Sequence, residues 1–144
     1  GKVAKVDAPL VMYRFHEAQT SRGVSADKIW NLRVAELESQ LLAGLTSFSI
    51  WSAGRDGKRF YRSLSKGSRE KVVAFLDIDP KKLASGLYFD RDLRRHVPIL
   101  EWRAAGEERC QPTIICVKSG LFEGFEENLA SLQLEEGRQY WHFN

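Results

Sequence analysis

Cysteine is scarce: Cys110 and Cys116 are the only two in 144 residues. Two are too few for a disulfide framework, so a reducing compartment, the cytoplasm, is the expectation. Cys116 sits inside an apolar run and reads as a small buried side chain. Long hydrophobic runs are missing as well. No stretch approaches the roughly 20 apolar residues of a membrane span, and the first residues lack a signal-peptide pattern, so no membrane partner is expected. The chain shows no internal repeat and no low-complexity segment. It has no Gly-x-Ser-x-Gly and no Cys–His spacing, which sets aside nucleophilic hydrolase chemistry. His96 and His142 have no nearby cysteine or acid at metal-ligand spacing and receive no site.

What is present suits one domain, or one domain with an appendage. With 43% hydrophobic and 11% aromatic residues the chain can build an ordinary core. The organising stretch runs from Ser49 to Leu64 and reads as a strand, a tight glycine turn and a helix. The apolar run Lys71–Leu76 follows and ends in Asp77-Ile78-Asp79-Pro80. Strand, glycine turn, helix, strand and acid open a dinucleotide-binding βαβ unit. Laid over G-x-G-x-x-G, the positions are Ser52, Gly54 and Gly57, so a serine replaces the first glycine. The acid expected about 20 residues on is Asp77 or Asp79. Gly54, Gly57 and Asp77 are therefore the cofactor-binding candidates. The competing reading keeps both glycines for turn geometry and helix–strand packing alone.

In chain order, residues 1–24 look extended, with Leu10–Phe15 a strand. Ser25 caps a helix of about five turns, with Ile29, Leu32, Leu37 and Leu41 as its stripe, Trp30, Val34 and Leu42 beside them, and Gly44 at its end. Asp79, Pro80 and Gly86 bracket a short helix. Leu87–Phe89 is a short apolar piece and 90–95 a charged loop. Val97–Leu100 is a strand, 104–111 holds a short helix, and Thr113–Val117 is a buried central strand. Glu126–Leu132 is a helix and Gln139–Phe143 the last strand. Strands alternating with short helices predict an α/β fold, a small Rossmann-like parallel sheet flanked by helices.

Charge is concentrated. From Arg55 to Lys71 there are seven basic residues against two acids, in a chain of net charge +3. Arg55, Lys58, Arg59 and Arg62 are the candidate RNA contacts; the bland alternative is a solvated helix face. Trp51, Phe60, Tyr61, Phe75, Tyr88, Phe89 and Trp102 are candidates for stacking on bases, and core positions are the commoner use of such residues.

Two segments carry a resemblance. Residues 48–144 resemble the Rossmann-like module of sugar-modifying and nucleotide-sugar proteins, in Val72–Asp79, Val97-Pro98-Ile99-Leu100 and Ile114-Ile115-Cys116-Val117. Residues 10–42, with Tyr13, Arg14, His16, Ser21, Trp30 and Arg33, resemble the C-terminal end of a family 2 glycosyltransferase of the GT-A type. The resemblance implies a division into a GT-A tail (1–24), a connecting helix (25–44) and a Rossmann-like domain (45–144). It implies transfer of galactose from UDP-galactose to a cyclopentenediol hydroxyl of queuosine in tRNA. A divalent metal, Mn or Mg, would neutralise the diphosphate leaving group, with His16 as the metal ligand carried over and Arg14 and Ser21 near the diphosphate. Asp77-Ile78-Asp79 and Asp90-Arg91-Asp92 have Asp-x-Asp spacing, but neither stands in a GT-A context. The donor-binding half that would hold the UDP-sugar is not in the chain, which by itself is not expected to transfer sugar.

Three functions follow: an accessory domain helping a tRNA glycosyltransferase grip its RNA, a small nucleotide- or coenzyme-binding module, or a purely structural, dimerising domain. A cut strand at the N-terminus would leave a homodimer open through edge pairing. An open Gly54–Gly57 turn would favour the second.

Overall fold

The computed structural model describes residues 24–117 and 124–143. Six strands form one sheet: β1 (Phe48–Trp51), β2 (Val72–Asp77), β3 (Leu87–Asp90), β4 (Arg95–Glu101), β5 (Thr113–Ile115) and β6 (Tyr140–His142), in the order β3-β4-β2-β1-β5-β6. All neighbours are parallel except the edge pair β3–β4. The five parallel strands thus lie third, second, first, fourth, fifth across the sheet. That is the order of a Rossmann-like fold, and the chain reverses direction between β1 and β5. The expected fold class is present, with an antiparallel edge added.

Among the described residues five α-helices flank the sheet: α1 (Ala26–Gln40), α2 (Arg55–Ser63), α3 (Lys66–Glu70), α4 (Pro80–Ser85) and α5 (Phe125–Ser131). Side chains alternate across a strand, so the sheet builds two cores. On one face Phe48, Ile50, Phe75, Val97, Ile99 and Ile114 meet Phe60 and Tyr61 of α2 and Val34 of α1. On the other Trp51, Leu76 and Ile115 meet Trp102 and α5 through Phe125 and Leu129. Trp51 stacks on Trp102 with ring centres 5.8 Å apart and meets Phe125 edge-on. Of the seven aromatics considered for base stacking, Trp51, Phe60, Tyr61, Phe75 and Trp102 are buried and Tyr88 packs against the core, while Phe89 is 48% exposed.

Local chemistry sets the element ends. Ser25 accepts from the Lys28 amide at the start of α1. Asp79 accepts from the Lys81 amide, Pro80 opens α4, and Gly86 closes it in the left-handed region at φ +68°, as the sequence predicts. Helix α1 is shorter than expected. It ends at Gln40 with Leu41 as its C-cap, and Gly44 closes a separate 3-10 turn, Leu42–Gly44, whose Leu42 and Ala43 carbonyls accept from Lys71 Nζ. Its packing stripe is Trp30, Val34, Leu37 and Leu41, a cleaner helical spacing than the predicted one. Ile29 and Leu32 of the predicted stripe are exposed. Trp30 Nε1 donates to Ser63 Oγ, its ring meets Phe143 edge-on, and Arg33 donates to the Phe143 carbonyl. The helix is thus packed into the body of the Rossmann-like sheet.

Among the described residues no helix is long and apolar enough to cross a membrane.

Candidate functional site

The glycine turn lies at the C-terminal end of β1. Ser52 occupies the first glycine position at φ +131°, a conformation costing a residue with a Cβ about 1–3 kcal/mol. Its Oγ accepts from the Gly54 amide at 3.2 Å. Gly57 meets the turn end-on: a Cβ there would stand 1.8 Å from the Ser52 carbonyl oxygen. Its lack of a side chain is a packing requirement that lets α2 close on β1. A Cβ on Gly54 would meet Ser52 Oγ at 3.3 Å and Lys82 Nζ at 3.4 Å. The space over Gly54 is thus already occupied by the chain's own lysine.

Asp77, the last residue of β2, is 6% exposed. Its Oδ1 accepts from the Ile78 and Asp79 amides, its Oδ2 from the Ala53 amide at 2.8 Å, and both from Lys82 Nζ. The carboxylate ties the β1–α2 turn to the β2–α4 turn and has no oxygen left over for a ribose. Of the expected cofactor trio, Gly57 and Asp77 serve the fold and Gly54 faces Lys82. The N-terminus of α2 has no side-chain cap but carries Asp56 in its first turn. Burial, and secondarily the Asp56 carboxylate, hold the Cys116 thiol well above its usual range.

Beside this turn is a cavity of about 210 Å³ that the sequence reading missed, lined among the described residues by Trp51, Ser52, Asp77, Ile78, Asp79, Lys82, Val117, Phe125 and Asn128. Lys82 lies five residues past Asp77 and one turn into a capped helix, the signal by which it was recognisable. Phe125 and Asn128 arrive from a helix forty residues away and carry no such signal.

The basic run divides on folding. Arg69 pairs with the buried Asp90 at 3.1 Å and with Asp92 at 3.0 Å, and Lys71 caps the 3-10 turn. Both are structural. Arg55, Lys58, Arg59 and Arg62 lie at i, i+3, i+4 and i+7 on α2, one face of the helix. Arg55 and Arg62 are exposed, Lys58 and Arg59 half-buried. Arg59 pairs with Asp27 at 2.7 Å and lies 4.0 Å over the Trp30 ring, Lys58 lies over Tyr88, and Arg55 pairs with Asp56.

Neither Asp-x-Asp segment is arranged for a metal. Asp77 is spent on amides and Lys82, and Asp90 and Asp92 share the guanidinium of Arg69. Among the described residues no group of three or more His, Cys, Asp or Glu side chains could hold a metal ion. His16, Arg14 and Ser21 lie outside the described residues. No family model matches the chain and no solved structure matches it.

Proposed function

We propose that this chain is the C-terminal part of a family 2 glycosyltransferase, a queuosine-tRNA galactosyltransferase, and that its Rossmann-like domain is an accessory domain that grips tRNA through α2. The segments Phe48–Trp51, Gly57–Leu64, Val97–Leu100, Phe125–Leu129 and Trp141–Asn144 carry the resemblance. The carrying geometric observation is the α2 stripe, where four cations share one helix face, Arg55 and Arg62 exposed and Lys58 and Arg59 half-buried, after folding has withdrawn Arg69 and Lys71. Arg59 pairs with the exposed Asp27, and Arg55, itself open to solvent, pairs with the half-buried Asp56; pairs this open to solvent contribute little, about 0–1 kcal/mol. Phosphates can displace them at small cost. The metal and the UDP-sugar belong, on this reading, to the GT-A half.

The test is titration of queuosine-containing tRNA at about 50 and 200 mM salt. Four phosphate contacts predict a loss of about a hundredfold in affinity between the two salts. The variant Arg55→Ala/Lys58→Ala/Arg59→Ala/Arg62→Ala, shown folded by circular dichroism, is expected to lose most binding and flatten the salt slope. A folded wild type that fails to bind at the lower salt, or a variant that binds equally well, refutes the RNA role.

A further inference from the structure

Ligands of open α/β sheets bind in the crevice where strand order reverses, beyond the carboxyl ends of the strands. Here the reversal falls between β1 and β5, and the 210 Å³ cavity lies there, with Trp51 from the end of β1, Asp77 from β2 and Val117 just past β5. Its volume and its charge restrict what it can take.

At about 210 Å³ the cavity is small. Pockets for drug-sized ligands begin near 300 Å³. The cavity therefore has room for one ring system and what hangs from it at the mouth, not for two nucleotides. Trp51, Ile78, Val117 and Phe125 make the wall apolar. Asn128 offers an amide, with donors on nitrogen and an acceptor on oxygen.

Charge argues against a phosphate. A pyrophosphate on such a fold uses the N-terminus of the first helix, where this chain places Asp56 paired with Arg55, two opposite charges that offset each other. Asp77, Asp79 and Lys82 line the cavity, two acids to one base, and Lys82 is committed to Asp77 at 3.0 Å. Asp79 differs from Asp77. Its Oδ1 accepts from the Lys81 amide, while Oδ2 has Lys82 only at 3.9 Å, beyond hydrogen-bond range, and the side chain is 40% exposed. A carboxylate oxygen at the mouth of an apolar cavity suits a neutral ligand that donates hydroxyls. Of the two acids that the sequence spacing allows, Asp77 and Asp79, the geometry favours Asp79.

We propose that the crevice binds a single neutral nucleoside unit, its base against Trp51, Ile78, Val117 and Phe125 and its ribose diol on Asp79. This site is separate from the α2 stripe.

The test is calorimetric titration of the whole chain with adenosine, guanosine, cytidine and uridine. At least one is expected to saturate below about 5 mM. Its 2′,3′-dideoxy analogue is expected to bind about tenfold weaker or worse, from the loss of hydrogen bonds to a charged group, and its 5′-monophosphate no more tightly than the nucleoside. Asp79→Asn, which keeps an equally good helix cap, is expected to weaken binding about tenfold. Ile78→Trp, at an exposed position on the rim, should block entry. The stripe variant should bind nucleoside like wild type, so failure of the RNA reading leaves this result untouched. The proposal falls if a folded wild type saturates with none of the four, if the 5′-phosphate tightens binding tenfold, or if Asp79→Asn binds as wild type does.

Discussion

Replacing Gly57 with alanine is expected to destabilise the domain by at least about 3 kcal/mol, the upper end of the overpacking range. The added Cβ would lie 1.8 Å from the Ser52 carbonyl oxygen and 2.9 Å from its carbon. Both are backbone atoms, so no rotamer change removes the clash. Ser52 has little room to yield, because its amide donates to Leu76, the neighbouring Ala53 amide donates to Asp77, and its Oγ accepts from Gly54. The remaining escape is to lift α2 from β1, which uncovers Phe60 and Tyr61, both fully buried. At about 2–4 °C per kcal/mol for a chain of this size, the melting temperature should fall by roughly 10 °C. Gly67→Ala is the matched control. It lies in α3 with nothing within 4 Å of its Cβ position and no left-handed φ. Alanine there is expected to stabilise by about 0.5–1 kcal/mol, through helix propensity and a less flexible unfolded chain. Urea denaturation of both variants checks the pair. Equal effects would show that the Ser52–Gly57 contact is not what demands glycine.

That contrast also marks what sequence could show. Gly54 and Gly57 mark a strand–turn–helix in the sequence, and at Gly57 the close approach of the Ser52 carbonyl leaves no room for a Cβ. Asp79, Pro80 and Gly86 marked both ends of α4 because capping is chemistry between near neighbours. The strands were readable from apolar runs, and their alternation with helices gave the parallel sheet. Long-range partners decided the rest. Asp77 looked like a ligand because spacing cannot reveal that the Ala53 amide, 24 residues earlier, would claim it. Leu87–Phe89 was too short to read as a strand and became one only by pairing with β4. In the α1 stripe Leu37 and Leu41 pack as expected, but Ile29 and Leu32 do not, because they are as apolar as the residues that pack and only the position of Phe143 and Ser63 around Trp30 decides between faces. The cavity needed Trp51, Asp79 and Phe125 in one place, a product of strand order rather than of any local pattern.

Asp90 shows the same effect with the larger energy, since it sits in what reads as a charged loop yet is 3% exposed. Its carboxylate accepts from Tyr61 Oη at 2.7 Å, from Arg69, and from the Asp92 and Leu93 amides. Arg69 Nε is buried without a hydrogen-bond partner among the described residues, so the guanidinium depends on its carboxylates. Asp90→Ala is expected to cost about 3 kcal/mol, the lower end for breaking a buried pair, because exposed Asp92 remains to hold Arg69. Tyr61→Phe removes a single donor and is expected to cost about 1 kcal/mol. The double variant should cost less than the sum, because the two groups share one bond.

The pH dependence gives an independent readout. Burial works against the Asp90 charge, but the bonds from Tyr61 and the Leu93 and Asp92 amides, with the nearby Arg69, outweigh it and hold its carboxyl below the usual range. A group whose folded pKa is depressed stabilises the fold above its unfolded pKa of about 3.9, and that stability is lost as pH falls through the folded value. The gap in unfolding free energy between wild type and Asp90→Ala should therefore be constant at neutral pH and narrow only below about pH 4. A gap that already narrows between pH 7 and 5 would show that the Asp90 carboxyl is not held ionised by Tyr61 and Arg69.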